Sequence, residues 1–264
     1  MEWLAGYLAI GALVGVCAGL LGIGGGAIMV PLLVALFEAQ GIGLDQVLHL
    51  AVGSSMATIL FTSLSSVRSH AARGALRWDI VRGITPGILA GGLAGSAVAS
   101  RIPTALFAVL FAVTVFTAAT NMLIDRKPRP SRDLPPFAGL LLAGFLISAI
   151  SAFAAVGGAF LAVPFMLWCN VPLLQAIGTA AAIGFPIALA GSVGFAISGW
   201  NQAGLPAWSL GYIYLPAAAG VAAASVVFAP LGVALAHRLP TRMLRRIFAV
   251  ILYAMSVRLI VNLW

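Results

Sequence analysis

Gly22-Ile23-Gly24-Gly25-Gly26-Ala27-Ile28-Met29-Val30-Pro31 interrupts the first apolar stretch of this chain. Ala155-Val156-Gly157-Gly158-Ala159-Phe160-Leu161-Ala162-Val163-Pro164 interrupts another near the middle. Glycine has the most backbone entropy to lose in a helix and tolerates φ > 0, so a run of glycines breaks one. A proline about a turn later lacks an N–H and suits the first turn of a new helix. Each segment reads as a helix that stops and restarts inside apolar surroundings.

The surroundings are those of a bilayer. Hydrophobic residues make up 62% of the chain and charged ones 8%, with a mean hydropathy of +1.12, which leaves no room for a soluble domain. Charge-free apolar stretches cover residues 3–37, 50–67, 83–100, 102–124, 137–168, 176–198, 210–236 and 247–257. Several reach the roughly 20 residues that a spanning helix needs. Glu2, the lack of a basic leader and the length of the first stretch argue against a cleavable signal peptide. The reading is an all-α, multi-pass integral membrane protein of the cell inner (plasma) membrane.

A net charge of +8 would suggest nucleic acid as the partner of a soluble chain. Here the basic residues crowd into loops beside apolar stretches, where they set orientation and meet anionic lipid. The bilayer is the implied partner, and nucleic acid is not. Cys17 and Cys169 read as small buried hydrophobes, with no disulfide, metal or cofactor pattern around them.

Twelve of the fourteen Lys and Arg residues lie in three loops, Arg68–Arg82, Arg126–Arg132 and Arg238–Arg246. The positive-inside rule places all three loops in the cytoplasm. Between the second and third loops lie three apolar stretches, where an even number of crossings is required. Stretch 137–168 is too long for one span and too short for two. As a re-entrant hairpin or a pair of tilted half-helices, it enters and leaves on one side. Stretch 3–37 is expected to do the same, with the N-terminus outside.

The basic loop precedes the third helix in the first half and follows it in the second, as an inverted repeat requires. Residues 1–124 form one repeat and 137–264 the other, joined by a cytoplasmic linker at 125–136. Each is a glycine-broken hairpin plus three transmembrane helices. Ala51-Val52-Gly53-Ser54-Ser55 corresponds to Ala176-Ile177-Gly178-Thr179-Ala180, and Arg101-Ile102-Pro103 to Arg238-Leu239-Pro240. All six tryptophans sit at ends of apolar stretches, as in an interfacial aromatic belt. Gly91, Gly95 and Ser96 have the spacing of a close helix contact.

The doubled Gly-rich element ending in Val-Pro, the Gly-Ser-Ser and Gly-Thr elements after each proline, and the His70–Gly74–Trp78 loop resemble the sulfite exporter TauE/SafE family of membrane permeases. The resemblance spans essentially the whole chain. It implies a transporter of small sulfur-containing anions such as sulfite and sulfonates. The second copy departs from the family pattern at Ala155 and Ala159, which bears on the substrate more than on the class.

An anion in a bilayer exchanges its water for fixed dipoles, and helix N-termini supply them. Two helices restarting near mid-membrane in an inverted pair can aim their free N–H groups at one ion. The substrate-binding candidates are Gly24, Gly25, Gly26, Gly157 and Gly158, with the hydroxyls of Ser54, Ser55 and Thr179. The alternative is that the glycines serve close packing and the hydroxyls bond their own helix carbonyls.

None of the six acids lies inside an apolar stretch, so no carboxylate proton or Na⁺ relay is visible. A cytosol held negative then favours exit of an anion over import. Import, or proton-coupled transport with His70 as the nearest candidate, is the alternative. Arg258 reads as snorkelling to an interface, and His49, His70 and His237 as interfacial loop residues. An intramembrane enzyme would need a nucleophile with its base, or a metal cluster, and neither pattern occurs.

Overall fold

The computed structural model describes residues 3–21, 25–71, 74–124, 132–155, 158–236, 246, 249–254 and 256–258. The first half contains α1 (Leu4–Leu21), α2 (Gly26–Ala39), α3 (Leu44–Ala71), α4 (Trp78–Ala99) and α5 (Thr104–Ile124). The second contains α6 (Phe137–Ala154), α7 (Ala159–Trp168), α8 (Leu173–Ser198), a short ladder of β1 (Ser209–Leu210) and β2 (Ile213–Tyr214), and α9 (Leu215–Ala236). Residues 249–254 and 256–258 are helical as well. Five of the described helices are long and apolar enough to cross a membrane, which makes this an all-α membrane protein.

Both glycine-rich segments break a helix. Gly25, at φ 68, precedes α2, and Ala155, at φ 47, follows α6. The members of each pair are unequal: α1 and α6 have 18 residues, whereas α2 has 14 and α7 has 10. At 1.5 Å per residue α1 and α6 are each about 27 Å long, and α2 and α7 about 21 and 15 Å. Prolines 31 and 164 sit within α2 and α7, each at the sixth residue of its helix.

Two features differ from the reading of the sequence. Helix α3 extends beyond stretch 50–67 in both directions. Asp45 lies in its first turn, and Arg68 and His70 in its last, so the charges complement the helix dipole at both ends. The connection into α9 carries an antiparallel ladder pairing Ser209 with Tyr214 and Leu210 with Ile213. Gly211, at φ 56, supplies the left-handed backbone at its turn.

Helices α3 and α8 form the centre and run antiparallel. The Cβ that Gly53 lacks would stand 3.2 Å from the Phe195 Cβ, and that of Gly191 3.1 Å from the Met56 sulfur. The most extensive helix contacts flank this core: α1 lies along α9, and α4 along α6. Both seams depend on missing side chains. A Cβ on Gly11 would stand 2.6 Å from the Val221 carbonyl oxygen, and one on Gly144 would overlap that of Ile84. Along α4, Cβ atoms on Gly87 and Gly91 would overlap the carbonyl oxygens of Leu141 and Phe145. Without a hydrophobic drive between helices in lipid, such close backbone approach is what holds them.

The outer surface fits a bilayer. Leu106, Val113 and Phe116 of α5 are exposed, as are Trp3, Trp78, Trp168, Trp200 and Trp208 at or near helix ends. The Arg132 guanidinium stacks 4.9 Å from the centroid of the Trp168 ring. Cys17 and Cys169 are free, buried thiols.

Candidate functional site at the helix breaks

The two breaks touch in the interior. A side chain on Gly26 would occupy the position of the Ala155 carbonyl oxygen, and its Cβ would lie 2.8 Å from Cδ1 of Ile59 on α3. Gly158 packs equally closely on Ile187 of α8. The start of α2 and the start of α7 therefore meet the central helices at Ile59 and Ile187. Those two residues share one level, because Met56 packs on Gly191 and Ser63 lies level with Gly184 across the antiparallel pair.

A helix leaves its first N–H groups without a partner of its own. In α2 the first returning bonds are from Ile28 and Met29 to the Gly25 carbonyl, and in α7 from Ala162 to that of Gly158. Gly26 and Ala27 in α2, and Ala159, Phe160 and Leu161 in α7, have no carbonyl inside their own helix to donate to. Side-chain capping hydrogen bonds are absent at both starts. Each start also carries the positive end of its helix dipole.

Of the eight residues singled out in the sequence, Gly24 and Gly157 lie outside the described residues. Gly25, Gly26 and Gly158 are buried at the two breaks, with no room for a side chain at any of them. The three hydroxyls are fully buried. Ser55 lies one turn from Ile59 on α3, and its Oγ has no hydrogen-bond partner. Ser54 Oγ accepts the backbone N–H of Tyr214 at 2.9 Å. Thr179 Oγ1 accepts that of Arg77 at 3.0 Å. Neither of these contacts reaches back to its own helix, so the alternative of self-bonding hydroxyls describes Thr58 rather than these two. Thr58 donates to the Ser54 carbonyl at 2.9 Å.

His49 is not a loop residue. It lies in α3 with 3% of its surface exposed, its Nε2 3.1 Å from the Ala99 carbonyl oxygen. That contact makes Nε2 the protonated donor. The ring packs between Phe107, at 4.8 Å, and Tyr212, at 5.2 Å between centroids. Thr104, at the start of α5, donates to the Asp45 carbonyl and lies 3.5 Å from His49 Nδ1. The group ties α3 to the α4–α5 turn. Only its apolar neighbours along the chain could have signalled burial, and Asp45 four residues earlier masks that pattern. His70 lies in the last turn of α3, His237 lies outside the described residues, and Arg258 is exposed.

At the start of α4, ahead of its apolar stretch, Arg77 pairs with Asp79 through two hydrogen bonds, of 2.9 and 2.5 Å. The guanidinium holds the Asp79 carboxyl below the usual carboxylate range. Among the described residues, no three His, Cys, Asp or Glu side chains come together as metal ligands would.

Broken helices meeting inside a bundle of apolar spans are the architecture of a membrane transporter. Comparison with known proteins agrees. The sulfite exporter TauE/SafE family model matches residues 7–259, and the chain belongs to that family of membrane transporters rather than to the enzymes. It is 34% identical over 254 residues, 96% of each chain, to a Haemophilus influenzae protein described as "Probable membrane transporter protein". It is 24% identical over 252 residues to a protein of the same description from Methanocaldococcus jannaschii, covering 94% of this chain and 91% of that one. A third such relative, from Bacillus subtilis, is 27% identical over 195 residues, 71% of this chain and 77% of its own. No solved structure matches the chain.

Proposed function

We propose that the protein exports a small sulfur-containing anion, such as sulfite or an organosulfonate, across the cell inner membrane, seating it where the two helix breaks meet. The observation that carries this reading is the contact of Gly26 with Ala155 between Ile59 and Ile187. It gathers the starts of α2 and α7, with the N–H groups that their own helices leave without a partner, at one level of the bundle. An oxyanion takes several such donors at once and gains from both helix dipoles. Ser55 adds a buried hydroxyl without a partner. Ser54 and Thr179 lie on either side of that level, each with one O–H donor beyond the N–H that it accepts, along the path of the anion rather than at its seat. Gly24 and Gly157 complete the proposed binding set.

The two halves read as inverted repeats, 1–124 and 137–264. Supporting this, contacts recur with the halves exchanged. Gly11 meets Val221 as Gly144 meets Ile84, and Gly220 meets Tyr7 as Gly83 meets Leu140. Export follows from energetics: an anion leaving a negative cytosol gains about 2.3 kcal/mol per charge per 100 mV, and none of the six acids lies within an apolar stretch of the sequence to offer a coupling route for import. The test is reconstitution in sealed liposomes loaded in turn with sulfite, thiosulfate, sulfate and an alkylsulfonate. Faster exit of sulfite or the sulfonate than from empty liposomes supports the reading. Equal exit of all four anions with and without protein contradicts it.

A further inference from the structure

Helices α3 and α8 carry the same contact at opposite ends. Ser54 accepts the N–H of Tyr214, the residue before α9, and Thr179 accepts that of Arg77, the residue before α4. Each hydroxyl follows a glycine that is indented for the same incoming segment. A Cβ on Gly53 would overlap the Tyr212 carbonyl oxygen, and one on Gly178 that of Ala75. In both places a Gly-hydroxyl pair of one central helix grips three residues of backbone leading into a helix of the other half. The second grip is assembled from residues 102 positions apart and the first from residues 160 apart.

The grips bracket the breaks. By the antiparallel register of α3 and α8, Ser54 lies level with residue 193 of α8, fourteen positions or about 21 Å from Thr179. Ile187, against which Gly158 packs, falls between them. The helices that they hold also carry the breaks. Helix α9 is seamed to α1, which runs into the first break, and α4 to α6, which ends at Ala155. At one end the Ser54 bond works together with the Tyr212 N–H donated to the Phe195 carbonyl at 3.1 Å and with Thr58 Oγ1, 3.4 Å from the Ala218 carbonyl. At the other, the Thr179 bond holds the entry to α4, whose length packs along α8.

We infer that Ser54 and Thr179 are positioning residues of two gates, latches whose separate release opens the breaks to opposite sides of the membrane. A single side-chain-to-backbone hydrogen bond is weak enough to break and reform thermally. Two latches built on the same Gly-hydroxyl pair, the one at Tyr214 reinforced by the Tyr212 N–H, give the alternation a transporter requires, with both closed in the state described here. The inference rests on the transport reading, but its test involves no cargo.

The experiment is labelling of Ile59→Cys at the breaks, in full-length protein carrying Cys17→Ala and Cys169→Ala. Sealed vesicles are exposed to an impermeant maleimide from one side or the other. Ser54→Ala is expected to raise labelling from one side and Thr179→Val from the opposite side, each roughly three- to tenfold, the effect of one hydrogen bond on a population. Gly53→Ala and Gly178→Ala wedge the same latches by a different means and should reproduce the sidedness of their partners. They decide the matter if a hydroxyl variant does not insert. Ser54→Thr and Thr179→Ser keep the acceptor oxygen and should label as the background does. Increases from the same side, increases from both sides alike, or no change in all four disrupting variants would overturn the inference. The expected pattern in a protein that moves no sulfur anion would retain the gates and remove the cargo.

Discussion

The carbonyl oxygen of Ala155 fills the space beside Gly26 in which any other residue would carry its side chain. The backbones of the two breaks are therefore in contact, and Gly26→Ala must push them apart. Backbone cannot yield as a flexible side chain does, so a cost of about 1–3 kcal/mol is expected, with transport reduced at least tenfold. Gly43, with nothing within 4 Å of its missing Cβ, is the control. Thermal unfolding in detergent, together with flux, checks both. Gly43→Ala should match the parent, and an unaltered Gly26→Ala would show that the breaks do not pack as described.

At Gly158 the obstacle is the tip of the Ile187 side chain, and its φ of −47 suits any residue. Gly158→Ala should therefore lose flux by a few-fold and regain it when combined with Ile187→Val, which removes the obstructing methyl. Gly158→Leu should abolish flux with or without that rescue. Flux assays on these four proteins distinguish steric crowding at this site from a general loss of fold, because coupling between the two positions is expected only where they touch.

His49 supplies a buried N–H to the Ala99 carbonyl. His49→Phe keeps a ring between Phe107 and Tyr212 but leaves that carbonyl without its donor. A destabilisation of about 1–3 kcal/mol is expected, read as a lower unfolding temperature of the purified protein. A ring with no structural hydrogen bond would tolerate Phe with no change.

Much of this arrangement is legible in the residues themselves. Glycine runs ending in Val-Pro announce broken helices wherever they occur, since the effect is local to the backbone. Gly91 and Gly95 likewise announce a seam, and α4 makes it against α6. What a single sequence cannot carry is the partner. The N–H groups that Ser54 and Thr179 accept arrive from the other half of the chain, so nothing beside either residue in the sequence announces them. His49 looks interfacial because Asp45 and Gln46 precede it, yet the α4–α5 turn covers it. The ladder at 209–214 escapes notice because two-residue strands are too short to show a period.

Orientation has its own test. The positive-inside reading puts Gly43 outside and Asp133 inside, and both are exposed in the structure. Gly43→Cys should react with an impermeant thiol reagent added to intact cells, and Asp133→Cys only after the cells are opened. The reverse pattern would invert the topology and, with it, the assignment of export.

The central claim is that a small sulfur anion crosses at the meeting of the two breaks, driven by its own gradient and the membrane potential. A sulfonate tests this most directly, since it stays ionised across the usable pH range. Its exit from proteoliposomes is followed while a K⁺/valinomycin potential makes the lumen negative, and again with a pH gradient at clamped potential. The account predicts faster exit as the lumen becomes more negative, little response to the pH gradient, and no protein-dependent exit from Gly158→Leu. Exit that ignores the potential and follows the pH gradient, or that persists in Gly158→Leu, would contradict it.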